Sequence, residues 1–158
     1  MRNTICAAFA LLSVATDLSA ADCKVQVEEL LQTGDDGADG TVLEVCMAEA
    51  ERGDEEALYH LSFFYLGLQG LETGVDRAVA TICASAEKGY PTAQYWLGWQ
   101  YEVGNYLRRD NKEAIAWYEK AAEGGSWMAQ DRLRQAYLNG ELGLEPSVAN
   151  AAQYSRER

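Results

Sequence analysis

Residues 93–125 read AQYWLGWQYEVGNYLRRDNKEAIAWYEKAAEGG and contain two amphipathic helical patterns separated by a polar loop. Large apolar side chains crowd the first pattern, and alanines alternate with aromatic residues in the second. Neither helix can bury its apolar face alone, so the hairpin must pack against neighbours of similar shape. The stretch therefore predicts an all-α fold built from repeated helix pairs.

The rest of the chain supplies those neighbours at a fixed interval. Glycines recur 36 residues apart, each is followed four residues later by an alanine, and each alanine is followed four residues later by a leucine. The three sets are Gly53, Gly89 and Gly125; Ala57, Ala93 and Ala129; and Leu61, Leu97 and Leu133. This self-similarity is typical of stacked helical repeats.

The best copy also carries a specific motif. It reads A-x-Y-x-L-G-x-x-Y-x-x-G, followed by D-x-x-x-A-x-x-W-Y-x-x-A-A-x-x-G, and runs from Ala93 to Gly125. This motif resembles the Sel-one-like repeat family, a relative of the tetratricopeptide repeat. The flanking copies are looser, with Ser62 in place of the first glycine and Asp131 and Arg134 in place of tyrosine and glycine. Over about residues 40–155 the resemblance implies a right-handed α-solenoid of three to four stacked antiparallel helix pairs.

Turn and cap residues place the helices within these repeats. Pro91 suits the first turn of a helix, and Asp110 with Glu113 forms an approximate capping box. An acidic loop at residues 34–40 faintly matches a calcium loop, but Gly37 and Cys46 stand where ligands are needed, so we interpret it as a solvated connection. The expected helices span residues 21–32, 42–52, 55–68, 75–88, 91–103, 110–123 and 127–140, and the last starts near Ser147.

The first residues have the layout of a secretory signal peptide. Arg2 supplies a positive charge, residues 5–15 form an apolar run, and Ala20 and Ala21 offer cleavage sites. The run is too short to span a bilayer. We therefore expect a signal peptide at residues 1–21, a solenoid domain at residues 22–158, and a secreted or periplasmic protein.

The cysteine content of the chain is consistent with export. Removal of the leader takes Cys6 with it and leaves three cysteines, so we expect one disulfide and one buried thiol. Cys23–Cys46 is the favoured pair because it would staple a terminal hairpin that packs on one side only. Cys46–Cys83, which would tie two successive hairpins, stays open as an alternative.

The charge of the chain restricts its partners. Asp and Glu total 25 against 13 Lys and Arg, which gives a formal charge of −12. Nucleic acids and anionic membranes are poor partners for such a surface. A basic protein would be attracted to it. Acidity that merely keeps an exported protein soluble is the other interpretation.

The residue types argue against catalysis. The sequence has no nucleophile elbow, phosphate-binding loop or paired C-x-x-C motif. His60 is the single histidine, so a histidine-dependent triad or a two-histidine metal site is excluded within the chain. We expect no enzyme activity, metal or cofactor, and place His60 at a contact between helices or at the edge of a groove.

We expect the first helix of each pair to bind the partner, because by analogy with tetratricopeptide repeats this helix would face a concave groove. The positions lie at i, i+4 and i+7, on one helix face, and large aromatic residues among them are typical interface anchors. The predicted partner-binding residues are Tyr59, Phe63, Leu66, Tyr95, Trp99, Glu102 and Gln135, with Asp131 and Leu138 beside the last.

Function follows from the resemblance rather than from a chemical motif. Proteins of this family act as adaptors and scaffolds, and some exported bacterial members are immunity proteins that neutralise a secreted antibacterial effector. The leading hypothesis is an exported module that grips a protein partner. The alternatives are a cell-wall or β-lactam-binding or hydrolysing enzyme, as implied by cysteine-rich relatives whose regular cysteine pairs this chain lacks, and a self-associating structural block.

Overall fold

A computed structural model describes residues 22–33, 39–67 and 72–155 of the chain. Over these ranges the chain forms eight α-helices and no strand. They are α1 (Cys23–Thr33), α2 (Asp39–Glu51), α3 (Glu55–Gly67), α4 (Glu72–Lys88), α5 (Pro91–Val103), α6 (Asn111–Glu123), α7 (Trp127–Asn139) and α8 (Val148–Gln153). The all-α prediction is confirmed, and the predicted bounds differ from these by three residues at most. The predicted signal peptide lies outside the described residues.

The helices fall into two compact units, which we describe separately. The N-terminal unit contains α1 to α4, and the C-terminal unit contains α5 to α8. Within each unit, helices that follow one another in the chain pack side by side. None of the described helices is both long enough and apolar enough to cross a membrane.

The core of the N-terminal unit forms where α1, α2 and α3 meet. Cys23 and Cys46 are buried there and form a disulfide, the pairing that the sequence favours. Val45, Leu58 and Leu61 pack in the same cluster. Cys83 on α4 is disulfide-bonded as well, so the expectation of one free buried thiol is wrong for the full chain.

The core of the C-terminal unit forms where α6 packs on α5 and α7. Tyr118 is fully buried in it, together with Ala121, Ala129 and Leu133. Gly98 of α5 lies against the Tyr118 ring, and a Cβ atom added to Gly98 would be 2.6 Å from Tyr118 Cδ1. The glycine of the sequence motif is therefore required by the close approach of an aromatic ring.

The 36-residue period of the sequence reappears in the structure. The six repeated alanines and leucines are all buried, at 6% exposure or less. Gly53, Gly89 and Gly125 have φ angles of 90°, 107° and 90°. These are left-handed conformations that glycine adopts most readily, and they let each pair turn into the next helix.

The two hairpins of the C-terminal unit close in the same way. The backbone N–H of Asp110 donates to the carbonyl of Tyr101 at 2.8 Å, and that of Ser147 donates to the carbonyl of Tyr137 at 2.7 Å. Both residues also cap the helix that follows, through Asp110 Oδ1 and Ser147 Oγ. The predicted capping box is therefore half-formed, since the Asp110 N–H bonds to Tyr101.

Candidate functional site

An open apolar cleft lies between α1 and α3 of the N-terminal unit. We call it the α1–α3 cleft. Its volume is about 730 Å³, within the range of ligand-binding clefts. Side chains of α1 and α3 supply most of its lining: Val27, Leu30, Leu31, Tyr59, Phe63 and Phe64. The two helices are held near each other by the core beneath them, which includes the Cys23–Cys46 disulfide.

The lining of this cleft is aromatic on α3 and aliphatic on α1. Phe63 is 44% exposed and Leu31 is 79% exposed. The Tyr59 ring packs edge-on against Phe63, with centroids 5.0 Å apart, and against His60 at 5.6 Å. These contacts fix the orientation of a large apolar surface that is still open to solvent. Rigid, exposed aromatic side chains of this kind anchor protein interfaces.

His60 lies at the wall of the cleft as a neutral side chain. Burial lowers its pKa, and this outweighs the opposing effect of Glu56, whose Oε1 lies 4.0 Å from His60 Nε2. His60 Nε2 is buried and makes no hydrogen bond within the described structure.

The charges around His60 are predominantly negative. The carboxylates of Asp22, Glu28 and Glu56 raise the pKa of His60, whereas the ammonium of Lys24 lowers it. Lys24 Nζ lies 3.2 Å from Glu56 Oε1, so its charge is largely compensated. The surroundings of His60 at the wall of the α1–α3 cleft are therefore acidic, in line with the net charge of the chain.

Apart from Leu66 on α3, the remaining predicted binding residues lie in the C-terminal unit and have mixed environments. Trp99 is 43% exposed. Tyr95 packs on the buried Tyr118 ring at a centroid distance of 5.5 Å, so its ring contributes to the core. Gln135 is exposed and donates from Nε2 to Asp131 Oδ2 on its own helix at 2.7 Å. Trp99 is the member of this set that presents a large apolar surface.

Glu102 is held in an internal network. Tyr118 Oη donates to Glu102 Oε2 at 2.7 Å, and Arg132 donates to both carboxylate oxygens at 3.0 and 2.6 Å. Arg132 also pairs with Glu141. Burial opposes ionisation of Glu102, but the hydrogen bonds from Arg132 and Tyr118 outweigh it and lower its pKa. The carboxylate thus ties α5, α6 and α7 together.

The structure therefore groups some predicted residues and separates others. Tyr59 and Phe63 line one cleft, whereas Leu66 on the same helix is partly buried and is not among its lining residues. The apolar lining residues of α1, Val27, Leu30 and Leu31, were not predicted from the sequence as binding residues, and neither were Leu43 and Phe64. The signal for the α1 residues is the apolar spacing Val27, Leu30, Leu31, at i, i+3 and i+4. In the described part of the chain, no cluster of three or more His, Cys, Asp or Glu could hold a metal ion.

Comparison with known proteins identifies the repeats. The family model described as the Sel1 repeat matches residues 55–80 and 91–126, that is, α3 with the first half of α4, and then the α5–α6 hairpin. The chain is a Sel1-repeat protein.

Solved structures support the same assignment. A Sel1 repeat protein from Oxalobacter formigenes aligns over 84% of this chain and 54% of its own, at 30% identity and a TM-score of 0.71. A second match is c5321, described as a protective antigen of uropathogenic Escherichia coli strains with the same repeat fold. It aligns over 82% of this chain and 28% of its own, at 30% identity and a TM-score of 0.64. The predicted fold class, a Sel1-repeat α-solenoid, is confirmed.

Curated relatives of this Sel1-repeat protein are longer proteins. The chitin synthase regulator SKT5 of Saccharomyces cerevisiae is 30% identical over 125 residues, which are 76% of this chain and 18% of that protein. The protein of the same name from Malassezia restricta is 32% identical over 106 residues, 65% of this chain and 7% of that protein. The chain thus spans less than a fifth of either relative. The Sel1 repeat itself belongs to a family that mediates protein–protein interactions.

Proposed function

We propose that this Sel1-repeat protein is an exported binding module that holds a basic protein partner at the α1–α3 cleft. The observation that carries the proposal is the cleft itself, where Leu31 and Phe63 expose apolar surface. Binding an apolar segment there would bury the exposed part of both side chains and contribute at most about 1.5–3 kcal/mol for each.

The charge distribution defines the chemistry of the partner. The carboxylates of Asp22, Glu28 and Glu56 act on His60 at the wall of the cleft, and the whole chain carries a formal charge of −12. A partner with an apolar anchor flanked by lysine or arginine would match both the cleft and the acidic surroundings of His60. Complementary charge of this kind raises the association rate and discriminates against acidic partners.

Export is part of the proposal. It is supported by the leader pattern in residues 1–21 and by the Cys23–Cys46 disulfide, a feature typical of proteins from oxidising compartments. The intact mass of the protein recovered from the periplasm or medium tests this point. A mature chain beginning at Ala21 or Asp22 supports export, whereas a full-length chain retained in the cytoplasm contradicts it.

Two kinds of partner would give such a module a biological role. One is a secreted antibacterial effector, which the module would neutralise as an immunity protein. The other is an enzyme that it regulates, as suggested by the name of the fungal relatives, regulators of a chitin synthase. Deletion of the gene distinguishes the two. The cell becomes sensitive to an effector encoded beside the gene only if the deleted gene encodes an immunity protein.

Matched variants on α1 and α3 test the binding site. Leu31→Ser and Phe63→Ser remove apolar surface from the cleft, while Val25→Ser removes an exposed side chain of α1 that is outside the cleft lining. Each variant is used to capture partners from the periplasmic fraction. Once a partner has been identified, its affinity for each variant is measured by isothermal titration calorimetry.

We expect the same basic protein to bind the wild type and Val25→Ser, and to bind the two cleft variants at least tenfold more weakly. Equal binding by all four proteins would overturn the site. A partner that is acidic would overturn the electrostatic part of the proposal. The enzyme alternative is tested separately by hydrolysis of a chromogenic β-lactam, for which we expect no turnover.

A further inference from the structure

A second cavity of the N-terminal unit lies on the other side of α3. Leu58, Leu61 and Tyr65 line it, whereas Tyr59 and Phe63 line the α1–α3 cleft. At about 100° of rotation per residue, these two sets occupy opposite faces of the helix. The cavity lies between α2 and α4, with α3 as its floor, and we call it the α2–α4 cleft. Its volume is about 470 Å³.

The α2–α4 cleft is apolar along its length. Its lining comes from three helices and includes Met47, Ala50, Leu58, Leu61, Ala80 and Ala84. Ala50, Leu58 and Leu61 are core residues, so the floor of the cleft is the rigid interior of the unit. The small side chains of Ala80 and Ala84 on α4 leave the open space between the two walls.

The charged residues of this cleft are concentrated at its two ends. Lys88 and Glu51 share one end, where Lys88 Nζ lies 3.0 Å from the position of a Cβ atom on Gly53. Arg77 lies eleven residues before Lys88 on α4, which places it about 16 Å away along the helix axis. Its guanidinium sits over the Tyr65 ring, 5.9 Å from the centroid.

The Arg77 end carries the uncompensated charge. No ion pair joins Arg77 to any residue in the described part of the chain. Glu51 offsets Lys88 at the far end, so the cleft as a whole has an excess of one positive charge, located at Arg77. The formal charge of −12 repels anions in general, but the Arg77 cation at the mouth of an apolar cleft favours an anionic group at that point.

The dimensions and the hydrogen bonding of the cleft restrict what can fill it. A volume of about 470 Å³ spread over about 16 Å gives an average cross-section of about 29 Å², which suits a slender, elongated ligand. An extended peptide would need backbone hydrogen bonds, but the walls are helices whose backbone groups are already paired. The Thr81 hydroxyl donates to the Arg77 carbonyl at 2.7 Å.

We propose that the α2–α4 cleft binds a single-chain anionic amphiphile, such as a fatty acid. The carboxylate accepts hydrogen bonds from the Arg77 guanidinium beside Tyr65, and the alkyl chain lies along Ala80 and Ala84 toward Met47. An alkyl chain needs no hydrogen bonds, suits the cross-section of this channel and replaces water on its apolar walls. This site uses the face of α3 opposite the α1–α3 cleft and does not depend on the proposed protein partner.

Dodecanoate, used below its micelle concentration, is the probe. Its binding to the full-length purified chain is measured by isothermal titration calorimetry, with dodecanol as a neutral probe of the same chain length. Arg77→Gln removes the charge at the cleft mouth. Arg52→Gln is the matched control, since Arg52 is an exposed arginine of the same unit outside the cleft lining. Ala80→Leu and Ala84→Leu each fill the channel, and circular dichroism checks that each variant folds.

We expect one dodecanoate to bind per chain, with binding about tenfold weaker for Arg77→Gln and unchanged for Arg52→Gln, because hydrogen bonds to charged groups contribute most among polar contacts. We expect weaker binding of dodecanol and no measurable binding by the folded channel-filling variants. The absence of dodecanoate binding would overturn the proposal. Equal affinities of Arg77→Gln and wild type would overturn the head-group assignment, and full binding by a folded channel-filling variant would overturn the location.

Discussion

Gly98 of α5 and Tyr118 of α6 approach so closely that the glycine hydrogen occupies the space where any other residue would place a carbon. A Cβ atom on Gly98 would lie only 2.6 Å from Tyr118 Cδ1 and 2.7 Å from Cε1. Tyr118 cannot swing aside easily, because it is fully buried and its hydroxyl donates to Glu102. The α5–α6 hairpin therefore depends on the absence of a side chain at one position.

Gly98→Ala should destabilise the C-terminal unit. The added methyl group gains helix propensity but forces the Tyr118 ring out of its position, and overpacking of this kind costs about 1–3 kcal/mol. Chemical denaturation followed by tryptophan fluorescence measures the change, since all four tryptophans lie in residues 96–127. Gly40→Ala in α2 is the control: a Cβ there meets no atom within 4 Å, so it should be neutral or stabilising. Equal effects of the two substitutions would contradict the role of Tyr118.

Arg132→Met should destabilise the same unit by about 1–3 kcal/mol, because it leaves the partly buried Glu102 carboxylate with Tyr118 as its remaining partner in the network. Arg134→Met on the same helix is the matched control. Arg134 pairs with the exposed Asp131, so its loss should cost about 0.5 kcal/mol or less. Urea denaturation at pH 7 compares the two variants. An equal loss of stability in both would show that the Glu102 network contributes no more to stability than the Arg134–Asp131 ion pair.

The Glu102 network also predicts an acid-sensitive contribution to stability. The pKa of Glu102 in the folded protein lies below its ordinary value of 4.5. The unfolded chain therefore binds a proton first as the pH falls, so this contribution is present above about pH 4.5 and is lost as the pH drops through the folded pKa. Between about pH 5 and pH 3, the free energy of unfolding should fall more steeply for the wild type than for Glu102→Gln. Parallel curves would contradict the prediction.

The Cys23–Cys46 disulfide should stabilise the N-terminal unit. It closes a loop with a sequence separation of 23 residues, for which the expected contribution is about 2–4 kcal/mol. The double variant Cys23→Ser/Cys46→Ser removes both sulfur atoms without leaving an unpaired thiol. Thermal denaturation followed by far-ultraviolet circular dichroism should show a lower midpoint for this variant than for the wild type. An unchanged midpoint would mean that the core around α1 is equally stable without the disulfide.

The helices were predictable because their ends are marked by local chemistry. Pro91 and Asp110 stand at helix starts, and glycines with left-handed backbone stand at the ends, as at Gly104 and Gly140. The exposed aromatic Phe63 was also predictable, since its spacing from Tyr59 on one helix is a local property. Each of these features can be recognised within a few residues of sequence.

The other parts of the candidate sites arise from contacts between distant residues. Glu102 and Arg132 are 30 residues apart, and no local pattern distinguishes this pair from exposed charges such as Asp131 and Arg134. Leu31 lines the α1–α3 cleft because α1 packs near α3, which sequence spacing does not reveal. Arg77 is similar, because its importance comes from Tyr65 on another helix. Helices follow from short-range chemistry, whereas clefts depend on how the helices pack.

The paired hydrogen bonds from Asp110 to Tyr101 and from Ser147 to Tyr137 have a practical consequence for engineering. These hydrogen bonds hold the two ends of each hairpin loop together and do not involve residues in the middle of the loop. The second loop, residues 140–147, is one residue longer than residues 104–110, and Leu142 and Gly143 absorb the extra length with φ angles of 59° and 84°. A fluorophore attachment site or an epitope tag inserted next to Gly143 should therefore leave the hairpin's anchor points in place.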